Sequence, residues 1–254
     1  MSSHPPAPRR AGFTLIEMMV VLGIIAILLT IVTVSIRGVR RSALATACQS
    51  NLRQLSAAHA AYGNLYNECF ADAGMPHGGA GNPAASFINT LKPFYGDPTV
   101  MRSPLDLSQH WDPELGGEGI PVTSGTPPLY RRSSYGLNNY LSRNYSPKAA
   151  IEGPGSAADR LGRVNRPSEC VAFLLMAETG AYAAADHPHA EEWGPAPEPA
   201  IVASTQVAIG AIDRGRPSSA SESNWAYVDG HVVPDRFERV FTSAAANQFD
   251  PDLH

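Results

Sequence analysis

The sequence predicts an α+β protein in which one long N-terminal helix packs on a small antiparallel β-sheet. Three observations carry that expectation. Residues 13–36 are a nearly unbroken apolar run; residues 37–67 continue it with apolar positions three and four apart; the remainder holds short apolar segments divided by turn residues. Composition agrees. Of 254 residues, 44% are hydrophobic and 17% charged, the range of a chain that folds around a core. Gly and Pro, 22 of each, call for many turns and long loops. With 19 basic and 23 acidic side chains and a net charge of -4, no basic nucleic-acid surface is expected.

The first element is the apolar run, FTLIEMMVVLGIIAILLTIVTVSI, in which Glu17 is the only charge. As a helix it is roughly 36 Å long, enough to cross a hydrocarbon core of about 30 Å. A soluble core helix of that length would show a polar face, and this one shows none. A secretory signal peptide would place its small-residue cleavage site after the apolar run. Here the small residue comes first, in Arg9-Arg10-Ala11-Gly12, and Phe13 follows. The run therefore stays on the chain as an anchor. The flanking charge does not set its orientation, because Arg37, Arg40 and Arg41 outnumber Arg9 and Arg10.

Gly12-Phe13-Thr14-Leu15-Ile16-Glu17 resembles the processing motif of type IV pilins and of the pseudopilins of type II secretion systems. The resemblance implies cleavage between Gly12 and Phe13 by a prepilin peptidase, then methylation of the new Phe13 amino group by the same enzyme. Glycine suits that junction, since without a Cβ the backbone can extend against the peptidase. The resemblance also gives Glu17 a role in assembly, pairing with the α-amino group of a neighbouring subunit. A carboxylate in a membrane segment is costly and by default functional, and such a pairing would offset the cost. The implied organisation is a removed cytoplasmic leader (1–12), a transmembrane and assembly helix (13–36), its amphipathic continuation (37–67), and a periplasmic globular domain (68–254). The implied setting is the bacterial inner membrane, crossed once, with the N-terminus cytoplasmic.

The continuation of the helix is marked by Leu44, Cys48, Leu52, Leu55, His59, Tyr62 and Tyr66, one face at helical spacing. No Pro interrupts residues 13–67, so anchor and stripe can be one helix. Cys48 and His59 lie on the stripe and read as packed core residues. Three cysteines exclude a disulfide scaffold but leave pairing among Cys48, Cys69 and Cys170 open.

Within the globular part, residues 71–133 read mainly as loop, Gly78 to Pro83 included, with a short helix near 84–95. Residues 134–141, 170–176 and 201–212 read as strands. Asp229-Gly230, between two β-prone runs, predicts a two-residue hairpin turn with positive φ at both positions; Pro234 ends the second strand and 235–246 forms a short helix. This half resembles a pseudopilin-like group that carries a Tyr-Gly-x-Asn element, a Pro-Ser segment before a strand and a terminal Asp-Gly-His hairpin. The matching residues are Ser134 to Asn138, Arg166 to Glu169, and Asn224 to Val233. The chain departs from that group at Ser219, where the group has His, and at Arg102-Ser103-Pro104, where it often has Cys-Pro; no role tied to those residues is carried over.

Metal binding is not expected. His187 and His189, within Asp186 to Glu192, lack the helical spacing of a zinc site and read as a solvated loop. Asp229 and Asp235 are candidate calcium ligands only by resemblance to some major pseudopilins, and Asp229 reads first as a turn residue. No nucleophile elbow, phosphate loop or triad spacing points to an enzyme. The expected function is a pseudopilin-like structural subunit, without cofactor, assembled through its N-terminal helix into a periplasmic filament of a type II secretion-like system. Its expected partners are prepilin peptidase, other pilin or pseudopilin subunits and an inner-membrane assembly platform. The alternatives are a minor pilin of a type IV pilus, and a membrane-anchored periplasmic binding module or enzyme that uses the leader for export.

Overall fold

Helix α1 spans Leu15–Leu65, and its two stretches have opposite surroundings. A computed structural model describes residues 13–75, 81–194 and 197–252. The chain divides into two compact units, with the boundary after Ala43. In the first unit, the apolar window Leu15–Val32 is not buried at all by the chain. In the second, Ala45, Cys48, Leu52, Leu55 and His59 of α1 are buried, and Leu44 and Tyr62 are half-buried. Tyr66, just past the helix, is exposed. Burying each large aliphatic of that stripe stabilises the fold by roughly 2 kcal/mol. Asn67 and Glu68 then adopt positive φ and turn the chain away from the helix.

Further elements are α2 (Phe87–Thr90), α3 (Lys92–Tyr95), β1 (Tyr135–Leu137), α4 (Pro147–Glu152), β2 (Val171–Leu175), α5 (Pro199–Gln206), β3 (Glu222–Tyr227), β4 (Val232–Arg236), α6 (Phe237–Val240), β5 (Phe241–Ser243) and β6 (Ala246–Asn247). Strands β1-β2-β3-β4 form an antiparallel sheet in that order, and β5 pairs with β6. Strand β2 is central and buried on both faces, which explains its uninterrupted apolar sequence. Ala172, Phe173 and Leu175 pack with Leu52 and Leu55 of α1. Val171, Leu174 and Met176 face a second core with Trp193, Trp225 and Phe249. Ala172 and Phe173 share a side because the β2–β3 register shifts between Val171 and Phe173.

Several sequence expectations are corrected. Residues 201–212 are not a strand: α5 begins with Pro199 and buries Ala200, Ala203 and Gln206, three apart, while Ile201 is exposed. The β-branched residues there suggested a strand, but helical spacing decides the burial. The helix expected at 84–95 is broken into a 3-10 turn at Pro83–Ala85, then α2 and α3. Pro93 lacks the N–H needed to continue α2. Strand β1 stops at Leu137, and Asn139–Leu141 form a 3-10 turn capped by Asn138. Pro234 does not end β4 but lies inside it, opposite Asn224; an edge strand tolerates it. The helix expected at 235–246 is limited to α6, flanked by β4 and β5.

The hairpin between β3 and β4 also differs. Its loop has three residues, Val228 to Gly230: Tyr227 N–H donates to the His231 carbonyl, and Gly230 N–H to the Tyr227 carbonyl. Only Gly230 has positive φ, 94°. This is the pattern of a β-turn followed by a glycine bulge, not the two-residue turn.

All three cysteines are free thiols; Cys48 and Cys170 are buried and Cys69 half-buried. Burial raises the Cys48 pKa and pushes that of Cys170 up to about 12, so neither is a ready thiolate.

Candidate functional site: the N-terminal segment and the hairpin region

Gly12 lies outside the described residues, as do Arg9 and Arg10. Phe13 is the first described residue and is exposed. Thr14 directly precedes α1, and its carbonyl accepts the first helical bond from Met18 N–H at 3.3 Å. Glu17 N–H donates to Thr14 Oγ1 at 3.3 Å, while Thr14 N–H and Oγ1–H each donate to Glu17 Oε2 at 2.8 Å. That reciprocal set is a capping box. The sequence signal was present, since Thr14-Leu15-Ile16-Glu17 has the required spacing. Sequence reasoning favoured an assembly role for Glu17 and overlooked Thr14. The carboxylate lies in the first turn, where the helix dipole favours negative charge, with donors already at one oxygen. Next to it, Leu15, Ile16, Met19 and Leu22 are more than half exposed. A surface this apolar needs a cover that this chain does not supply.

A family model for the prokaryotic N-terminal methylation motif matches residues 7–33. This chain carries a prepilin-like N-terminus. The match spans Gly12, Phe13, Glu17 and the apolar window, which supports a single-pass membrane anchor and a precursor of the pilin-like or pseudopilin type. Such a motif implies processing by a prepilin peptidase and assembly with pilin subunits. Neither a curated protein nor a solved structure gives a significant match to the chain.

In the globular unit, the three elements singled out in the sequence meet around β2. Gly136 passes so close to β2's end that an added Cβ would lie 2.2 Å from Met176 Sδ. Asn138 Nδ2–H donates to the carbonyls of Val171 and Phe249 at 2.8 and 2.7 Å, and its Oδ1 caps the following turn. The Pro167 carbonyl accepts Asp229 N–H at 3.2 Å, and the Cys170 carbonyl accepts Val228 N–H at 3.0 Å. Asn224 ties β3 to α1: its Nδ2–H donates to the Ala45 carbonyl at 3.0 Å, and its Oδ1 accepts from Gln49 at 3.1 Å. Ser219 accepts Glu238 N–H through its carbonyl, and Ser103 Oγ accepts Leu105 N–H. The bonds of Pro167, Cys170 and Asn224 hold the hairpin against the core.

The metal-ligand candidates are engaged elsewhere. Asp186 and His187 are fully buried, which corrects the solvated-loop expectation. The Asp186 carboxylate accepts Gly74 N–H, Met75 N–H and Ser86 Oγ–H at 2.8, 3.0 and 2.5 Å, and lies 2.9 Å from His187 Nδ1. It pins a long loop to the core, and loop partners so distant in sequence give no local signal. His189 pairs with Glu191 at 3.1 Å, and that bond raises its pKa. Asp229 Oδ1 accepts His231 N–H at 3.1 Å and meets the His231 ring at 2.6 Å, while Asp235 lies 3.5 Å from Arg239. Among the described residues, no group of three His, Cys, Asp or Glu side chains is placed to hold a metal ion.

His59 was expected in the core and is there. Its Nε2 accepts Ala71 N–H at 3.0 Å, and its ring contacts Phe70 and Phe173. Burial lowers its pKa to about 4, so the ring is neutral at ordinary pH.

Proposed function

We propose that the protein is a pseudopilin-like structural subunit, not an enzyme, of a type II secretion-like system. Prepilin peptidase cuts between Gly12 and Phe13 and methylates the Phe13 amine. The mature subunit sits in the inner membrane with its N-terminus cytoplasmic and its globular unit periplasmic. An assembly platform then adds it, through the N-terminal helix, to a periplasmic filament of like or related subunits. The observation that carries this reading is a motif-bearing apolar run, residues 13–36, whose sole charge is Glu17, set one turn from the new amino terminus. A neighbour's amine would meet a carboxylate whose other oxygen, Oε1, faces no donor from Thr14. Lateral packing of such helices would cover the exposed apolar surface.

The test is Glu17→Ala beside Gly12→Val, expressed with the peptidase and the filament machinery. Glu17→Ala should be cut at the normal position yet fail to enter filaments, and Gly12→Val should accumulate as precursor. Normal incorporation of the Glu17 variant would refute the assembly role. Surface pili in place of periplasmic filaments would transfer the chain to the type IV pilus.

A further inference from the structure

Beneath the tip of the β3–β4 hairpin lies a half-open cavity of about 150 Å³, formed wholly by the globular unit. That volume suits a body the size of one aromatic ring. Its walls are apolar, with Phe70, Leu161, Ala172, Phe173 and Val228. Its polar lining includes Ser56 and His59, three apart on α1, with Asn64 further along the same helix and Tyr227 on β3. The Ser56 hydroxyl is buried and has no hydrogen-bond partner, an uncommon state for a buried polar atom. Because His59 Nε2 accepts the Ala71 amide, the proton of the neutral ring sits on Nδ1. Ser56 and His59 thus bring two donors and no charge. At the rim stand the carboxylates of Glu68 and Asp229, which disfavour an anion.

We propose that this cavity binds a small neutral ligand joining an apolar body to a carbonyl oxygen, with Ser56 and His59 donating to that oxygen. The Ser56 hydroxyl is buried, so this contact requires the serine side chain to turn about χ1 toward the ligand. The site is independent of the assembly reading: it uses none of the N-terminal segment, and loss of either property would leave the other intact.

The test uses the full mature chain in detergent, with benzamide as the probe and methyl spectra of Val228, Leu161 and Ala172 as the readout. Benzamide should shift these signals saturably. Ser56→Ala should weaken binding about fivefold, the effect of one hydrogen bond. Ala60→Leu, a change at an exposed rim position that leaves the core untouched, should abolish binding. Benzoate, of the same shape but anionic, should bind at least about tenfold more weakly than benzamide. The near-UV circular dichroism of both variants should match the parent. Absence of saturable shifts at millimolar benzamide, equal binding to Ala60→Leu, or benzoate binding as tightly as benzamide would each overturn the proposal.

Discussion

The two stretches of α1 solve opposite problems with one helix. From Leu15 to Val32 the side chains, Glu17 and Thr30 apart, are apolar all round and none is buried by the chain, whereas from Leu44 onward only one stripe is apolar and it is covered by β2 and its neighbours. The second stretch is stabilised inside the protein. The first can be stabilised only by lipid or by other helices, so its sequence records an environment and not a fold. Glu17 belongs to that logic: a lone carboxylate is costly in lipid, and the proposed pairing in an assembly would offset that cost.

Substitutions in the two stretches should therefore have unlike consequences. The largest effect is expected from Phe173→Ala, which opens a cavity between His59 and Phe87 and should destabilise the globular unit by about 3–5 kcal/mol in denaturant unfolding. Leu22→Ala, in the exposed window, should leave the same transition unmoved. A shift from Leu22→Ala comparable to that from Phe173→Ala would erase the contrast.

Next in size is a pH effect from His59. Its folded pKa, about 4, lies below the ordinary 6.5, so protonation is disfavoured in the folded state. The associated stability is complete above the unfolded value and is lost as pH falls from about 6.5 to about 4, up to roughly 3 kcal/mol. His59→Gln keeps an acceptor for Ala71 N–H but cannot titrate, so its unfolding free energy should vary less across that window. An unchanged pH profile would remove His59 as the cause.

The smallest effect is expected from Thr14→Ala, which dismantles the capping box and should cost about 1 kcal/mol at the start of α1. Faster amide exchange at Leu15 to Glu17, with unfolding of the globular unit unchanged, would confirm that the cost is local. Unchanged exchange would mean that the cap contributes nothing.

Features were legible where a single period governs a segment. The stripe from Leu44 to Tyr62 follows from helical spacing, and β2 from an apolar run too short for a helix and flanked by polar residues. Segments whose partners are remote in sequence were not legible. Ile201, Val202 and Thr205 have strand propensity, yet Pro199 starts a helix there and the second core selects its buried face. Asp186 and His187 look like surface residues among Ala and Pro, but Gly74, Met75 and Ser86, all remote in sequence, donate to the buried Asp186 carboxylate, which in turn meets the His187 ring. The hairpin was readable at Asp229-Gly230, but its loop length was not, because a glycine after a turn suits either geometry. Thr14 was readable beside Glu17 and had a second meaning, as a cap.

The central claim is that Gly12–Phe13 is a junction where a leader is removed and an anchor begins. Intact mass and N-terminal sequencing of the membrane-bound protein, from cells with an active prepilin peptidase, test it most directly. The account predicts a chain starting at N-methylated Phe13. A chain that keeps residues 1–12, or one cut after the apolar window, would contradict it.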